Sequence, residues 1–158
     1  MEISIRAATL TDVPALARLH VQTFNETHGP GPTVELRESQ WPAKLANPKH
    51  FCFLALDENG DLVGFSNGEP YERDDLPYDG RLEKIYVLRA WHRQGIGRQL
   101  VSEIASTFLE RDISSMLLFS QADNPSIGFF ERLGGHRLIN ENGEFHGGYG
   151  WDDVRPLI

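Results

Sequence analysis

Hydrophobic and polar positions alternate at the start of the chain, in Ile3-Ser4-Ile5-Arg6, and this period of two predicts a first strand. The period then lengthens. Val13, Leu16, Ala17, His20 and Phe24 fall on one face of a helix, and Thr9-Leu10-Thr11-Asp12 ahead of it offers capping side chains. With Thr11 as the cap, Pro14 lies in the first turn, where no amide bond is lost. Gly29-Pro30-Gly31-Pro32 ends that helix. A second, more weakly patterned helix is predicted from Thr33 to Ala46, closed by Asn47-Pro48.

Phe51–Leu56 and Leu62–Ser66 read as strands, and Asn59-Gly60 between them is a hairpin signal. Residues 67–80 read as a polar, acidic loop and Leu82–Leu88 as the next strand. Leu100, Val101, Ile104, Ala105 and Phe108 share the inward face of a helix over Gly97–Arg111. The unbroken apolar run Met116–Phe119 fits a strand buried on both faces. Asn124 as N-cap and Pro125 at the first position open a last helix, which Gly134-Gly135 closes. Arg137–Ile139 and Phe145–Trp151 then pair around Asn142-Gly143. The order is β-α-α-β-β-β-α-β-α-β-β, a mixed α/β fold in one domain over residues 1–158, without repeats or linkers.

Composition narrows the function. No apolar run approaches the roughly 20 residues of a membrane span, and Met1–Ala8 lacks the pattern of a signal peptide. Cys52 is the single cysteine, so no internal disulfide forms and a cytoplasmic location is expected. It sits in an apolar run and reads as an inert thiol. The net charge of −8 argues against a nucleic-acid partner. That charge is uneven. Residues 81–98 carry Arg81, Lys84, Arg89, Arg93 and Arg98 against Glu83, whereas Glu69, Glu72, Asp74, Asp75 and Asp79 face only Arg73 in residues 69–79. An acidic chain with one basic island suggests an anion at the island; the plainer alternative is a solvated charge pattern. The histidines at 20, 28, 50, 92, 136 and 146 show no metal-ligand spacing, so no metal is expected. His20, on the apolar helix face, reads as structural.

The basic island contains a strand, then Arg93-Gln94-Gly95-Ile96-Gly97-Arg98, then a helix. A helix start leaves about four amides unpaired and carries partial positive charge, and a phosphate satisfies both. Glycine lets the backbone approach an anion, and arginine binds phosphate in bidentate fashion. A tight strand-to-helix turn is the plain alternative. A dinucleotide fold wants G-x-G-x-x-G after an early strand, but position 100 is Leu100 and the turn follows the fourth strand. No G-x-x-x-x-G-K-[ST] occurs.

Leu82-Glu83-Lys84-Ile85-Tyr86-Val87, the turn Arg93–Arg98, Asn124, and Phe129-Phe130-Glu131-Arg132-Leu133-Gly134 together resemble the GNAT superfamily of acetyltransferases. The likeness in motifs and element order covers nearly the whole chain. It implies a mainly antiparallel sheet of about six to seven strands, helices on both faces, and central strands splayed around acetyl-CoA. It implies that the amides of Arg93, Gln94, Gly95, Ile96, Gly97 and Arg98 hold the pyrophosphate. Ile85, Tyr86 and Val87 would pair with the pantetheine arm, with the Val87 N–H on the thioester oxygen. Asn124 would touch the pantetheine, and Phe129 and Phe130 would wall the thiol end. Asn124 also reads simply as a cap, and Phe129 as core.

The chain departs from the family at Phe130, where the family often has the Tyr that protonates the departing thiolate. Phenylalanine has no proton to give, so Tyr86 and Tyr149 are the candidate hydroxyls. Glu83, read as sharing the face of Ile85 and Val87, is the candidate general base; its plain alternative is an exposed carboxylate paired with Arg81. His146 is the reserve candidate. By resemblance Phe24, His28, Glu83 and His146 lie on the acceptor side. The acidic stretch Glu69–Asp79 there suggests a small cationic amine or a basic peptide terminus as acceptor. The implied reaction is direct attack of a primary amine on acetyl-CoA. The rival readings are a non-catalytic CoA-binding sensor and a nicotinamide enzyme. Many relatives are dimers, so a homodimer is a further expectation.

Overall fold

In the computed structural model, which describes residues Glu2–Ile158, the alternating start forms β1 (Ser4–Ala7) at one sheet edge. Arg6 at its end makes a bidentate pair with Asp12, both contacts at 2.8 Å. Asp12 also accepts the Thr9 N–H at 2.8 Å. The cap is therefore built by Thr9 and Asp12 rather than Thr11, and a 3-10 turn, Leu10–Asp12, leads into α1 (Val13–His28). Pro14 lies in the first turn of α1. The Thr33 side chain accepts the Leu36 N–H at 3.2 Å and starts α2 (Val34–Ala46).

β2 (Phe51–Leu56) and β3 (Leu62–Pro70) form the first hairpin, with Gly60 at φ 82°. β4 spans Gly80–Val87, so the connecting loop is 71–79, shorter than expected. Ser66 and Asn67 are polar, yet they are buried within the β3–β4 ladder and carry that strand onward. α3 (Ile96–Glu110), β5 (Met116–Phe119), α4 (Ile127–Arg132), β6 (His136–Ile139) and β7 (Phe145–Trp151) follow. Asn124 does not cap α4 directly. Its side chain accepts the Ser126 N–H at 2.7 Å and its carbonyl the Ile127 N–H, closing a separate turn, and Ser126 takes the cap position.

The seven strands lie in the order β1-β2-β3-β4-β5-β7-β6, antiparallel except for β4–β5. α1 and α2 cover one face, where Leu16, Leu19 and Trp41 pack on Leu54 and Phe65. α3 and α4 cover the other, where Val101, Ile104, Phe108, Phe130 and Leu133 pack on Leu82, Met116 and Leu118. No helix among the described residues is long and apolar enough to cross a membrane.

Two irregularities in β4 position the site. β4 and β5 pair only through Gly80–Met116 and Arg81–Leu117, so β4 has no partner on that side from Leu82 onward. On its other side the register steps from Asn67–Lys84 to Gly68–Leu82 and leaves Glu83 as the extra residue of a bulge.

Candidate active site

The gap left by the diverging strands is a cleft of about 530 Å³. Leu82–Tyr86 of β4 form one wall, and Leu118–Gln121 with Asn124 and Phe130 form the opposite one. Phe24, Thr27, His28 and Pro30 at the end of α1 close it.

The backbone along this gap is poised to bind. Leu88 N–H donates to Val63 O at 2.9 Å. Bonded and non-bonded pairs alternate in an antiparallel ladder. Val87, opposite Gly64, and Ile85, opposite Ser66, therefore turn their amides away from β3 and into the gap. The Val87 carbonyl is already used, since His92 Nε2 lies 2.7 Å from it.

Past Val87 the chain makes the glycine turn. Arg93 (φ 64°) and Gly95 (φ 80°) both adopt the left-handed conformation, and Gly95 takes the cap position of α3. The first intrahelical bond runs from Gln99 N–H to Gly95 O at 3.1 Å, leaving the amides of Ile96, Gly97 and Arg98 free of helical partners. The turn is exposed at Arg93, Gln94, Gly95 and Arg98. It joins the cleft through α4: Phe129 packs on Gly97, and Phe130 beside it lines the cleft.

The basic island divides. Arg81 lies 3.9 Å from Glu69, Lys84 bonds Glu83 at 2.7 Å, and the backbone N–H of Arg89, not its guanidinium, donates to the Glu26 carboxylate at 2.9 Å. Among the described residues the guanidinium groups of Arg89, Arg93 and Arg98 have no carboxylate partner, but that of Arg89 donates to the Glu26 backbone carbonyl, so Arg93 and Arg98 are the two left without a partner. The acidic stretch divides as well. None of Glu69–Asp79 lines the cleft; Glu72 pairs with Lys49 at 3.2 Å, and Asp75 accepts the Tyr71 hydroxyl at 2.6 Å.

Glu83 is not where alternation put it. The bulge turns it to the α2 side with Lys84 and Tyr86, whereas Ile85 and Val87 pack toward α3. Nor is it exposed or paired with Arg81. Its carboxylate bonds Lys44 and Lys84, accepts the Asn67 amide at 2.7 Å and lies 3.4 Å from His50 Nε2. Burial pushes its pKa up, but His50, Lys84 and Lys44 outweigh burial and hold the carboxyl well below the usual range. A carboxylate so held is a poor proton acceptor.

The two tyrosines separate. Tyr86 lines the cleft with its hydroxyl 3.3 Å from His28 Nε2, and burial raises its pKa. Tyr149 is fully buried, packs on Phe130, and donates to Glu131 at 3.0 Å outside the cleft wall. His146 is exposed on the last hairpin, 3.1 Å from Asn140 Nδ2, and does not line the cleft. Phe24 and His28 do, their rings 4.7 Å apart. Among the described residues, no three His, Cys, Asp or Glu side chains gather to hold a metal.

Pattern reading missed a second cavity of about 430 Å³ on the α2 side of β4, lined by His20, Arg37, Trp41, Lys44 and Lys84. Arg37, Trp41 and Lys44 fall at i, i+4 and i+7 on α2, a spacing that could have revealed their common face.

A profile of the Acetyltransferase (GNAT) family matches residues 13–135. The sequence is 31% identical to an uncharacterized N-acetyltransferase, YuaI, of Bacillus subtilis (strain 168), over 98% of this chain and 96% of that one. The fold is similar to PaiA N-acetyltransferase from Thermoplasma acidophilum in complex with coenzyme A, at 17% identity and a TM-score of 0.71, covering 95% of this chain and 98% of that one. It is also similar to a GNAT-family acetyltransferase from Staphylococcus aureus Mu50, at 13% identity and a TM-score of 0.79, covering 98% and 100%.

Proposed function

We propose, for a chain that belongs to the acetyltransferase (GNAT) family, direct transfer of the acetyl group to an amine held in the cleft between β4 and β5. The enzyme is an acetyltransferase, and its acyl donor is acetyl-CoA. The observation that carries the reading is the continuity of three features: free amides at the start of α3, free amides along β4, and a cleft at their end.

These features suit the donor. The amides of Gly95–Arg98, with the side chains of Arg93 and Arg98, would hold its pyrophosphate. Ile85 and Val87 would bond its extended arm, Asn124 would touch that arm, and Phe130, which lines the cleft, would wall the thiol end, whereas Phe129 packs on Gly97 instead of lining the cleft. Bound acetyl-CoA supplies the acetyl group as a thioester, already activated toward an amine. The Val87 N–H is the proposed donor to the carbonyl oxygen, where negative charge develops. Tyr86 is the proposed proton source for the departing sulfur, because it is the hydroxyl of the expected pair that reaches the cleft. His28, hydrogen-bonded to it and lining the cleft, is the proposed acceptor of the amine's proton. Glu83 is assigned to structure.

The cationic acceptor expected from the acidic loop is not carried forward, since that loop does not line the cleft.

The test is thermal denaturation with acetyl-CoA, CoA and NAD, followed by thiol release with a panel of amines. Acetyl-CoA and CoA should raise the melting temperature and NAD should not. No shift with CoA overturns the donor site. A shift without turnover of any amine overturns the catalytic reading and leaves a CoA-binding module.

A further inference from the structure

The second cavity lies beside the cleft, and Lys84 lines both. His20 of the cavity is 6.0 Å from Tyr86 of the cleft, ring to ring. Arg37 of the cavity stands over the ring of Phe24 in the cleft at 5.5 Å. The cavity therefore borders the place where an acceptor would enter.

Its walls are short of acceptors. Arg37, Lys44 and Lys84 bring three positive charges, and among the described residues Glu83 is the one carboxylate bonded to any of them. Among the described residues Arg37 meets a neutral partner only, donating to Gln40 Oε1 at 3.1 Å, and its Nε is buried without a partner. Burial disfavours its charged form.

His20 points the same way. It is 2% exposed. The Trp41 indole N–H lies 3.1 Å from its Nδ1. An indole nitrogen only donates, so Nδ1 accepts and the ring proton sits on Nε2. That Nε2 is buried and has no partner among the described residues. Burial, then Arg37, Lys84 and Lys44, push His20 down to about 3, so it stays neutral and keeps this one donor. Two buried N–H donors without acceptors, set among cations, call for a ligand oxygen that carries negative charge.

We propose that this cavity holds an anionic group, a carboxylate or a phosphate, carried on the same molecule as the amine that is acetylated. The inference rests on the reading of the cleft as an acetyl-transfer site. It makes the acceptor an amino acid, an acidic peptide terminus or a phosphorylated amine, and it disfavours polyamines. Arg37 is the specificity-determining residue: unlike Lys44 and Lys84, it has no carboxylate partner among the described residues and is free to take a new one.

The test compares matched acceptors with saturating acetyl-CoA. The pairs are free amino acids against their carboxamides, and O-phosphoethanolamine against ethanolamine, with a simple diamine as the cationic arm. One anionic member should exceed its neutral partner by roughly 10–100-fold in kcat/KM, the size of one charge-assisted contact. Which pair shows the preference identifies carboxylate or phosphate. Arg37→Gln should bring that ratio close to one, and Lys49→Gln, a surface control, should leave it in place. Ratios near one in the wild type, or preference for the diamine, overturn the proposal while the acetyltransferase reading stands.

A binding arm covers an enzyme that turns over none of these amines. With CoA saturating the pyrophosphate turn, inorganic phosphate or acetate should raise the melting temperature of the wild type more than that of Arg37→Gln. Equal shifts in the two proteins overturn the subsite. Absence of any CoA effect overturns the donor site instead, so the two failures are distinguishable.

Discussion

Phe129 rests its ring tip on the α-carbon of Gly97, so a β-carbon added there would lie 3.0 Å from Phe129 Cζ. This contact couples the first turn of α3 to α4. Gly97→Ala and Gly95→Ala should therefore fail for different reasons. At Gly95 a methyl group meets nothing within 4 Å, but φ is +80°, and alanine there costs about 1–2 kcal/mol. At Gly97 alanine gains about 1 kcal/mol of helix propensity and loses much of it by displacing Phe129. Gly95→Ala should lower the melting temperature and raise KM for acetyl-CoA. Gly97→Ala should raise that KM with little change in melting temperature. Denaturation curves and donor titrations of both variants check the contrast.

Tyr86 and Tyr149 were equivalent candidates by residue type, and the fold separates them. Tyr149→Phe removes a bond to Glu131 that lies outside the cleft wall, so stability should fall by about 1 kcal/mol with kcat unchanged. Tyr86→Phe should lower kcat by about 100-fold with KM for acetyl-CoA little altered. The opposite pattern in steady-state kinetics would move the proton donor to Tyr149, and equal kcat in both variants would mean that the sulfur departs without a hydroxyl.

Periodicity revealed what depended on one local rule. The helical faces of α1 and α3, the two Gly hairpins and the strand order in sequence all follow from spacing and turn chemistry, and the structure contains them. The strand-turn-helix around Gly95 and Gly97 was legible because the element order is written in the chain. Glu83 was misplaced because a β-bulge breaks the period of two, and the bulge depends on pairing with β3, which no local pattern encodes. His20 looked like core and is buried, but its unpartnered Nε2 arises only when Trp41 arrives from α2 to take Nδ1. Charge counting could not tell which charges pair across strands or which line the cleft. The basic residues 81–98 and the acidic residues 69–79 meet in one pair, Arg81–Glu69, which adjoins across β3 and β4.

Cys52 is 4% exposed, and burial raises its pKa far above the usual thiol range. The thiolate is the reactive form, so native protein should consume no disulfide reagent on the timescale of a thiol-release assay. One equivalent should react after denaturation. Rapid native labelling would mean that β2 opens locally, and it would also compromise the coenzyme A readout.

The carboxylate of Glu83 holds Lys44, Lys84 and Asn67 together beneath α2. Glu83→Gln keeps the shape and removes the charge, leaving two part-buried lysines without a counter-ion. Above pH 6 the variant should lose roughly 1.5–3 kcal/mol, the range of a charge-assisted hydrogen bond. The folded pKa of Glu83 lies below its unfolded value. Its stabilisation is therefore complete above the unfolded pKa of about 4.3 and is lost as pH falls below it. The wild type should accordingly lose stability more steeply than the variant once the pH falls below about 4.3, and the loss should continue toward the much lower folded pKa, where the two curves converge. The pH–rate profile should separate structure from catalysis. A base held this low leaves no acid limb near neutrality, so Glu83→Gln should keep the wild-type profile shape at reduced amplitude. Loss of an acid limb near pH 6–7 in the variant would return Glu83 to the role of base and displace His28 from it.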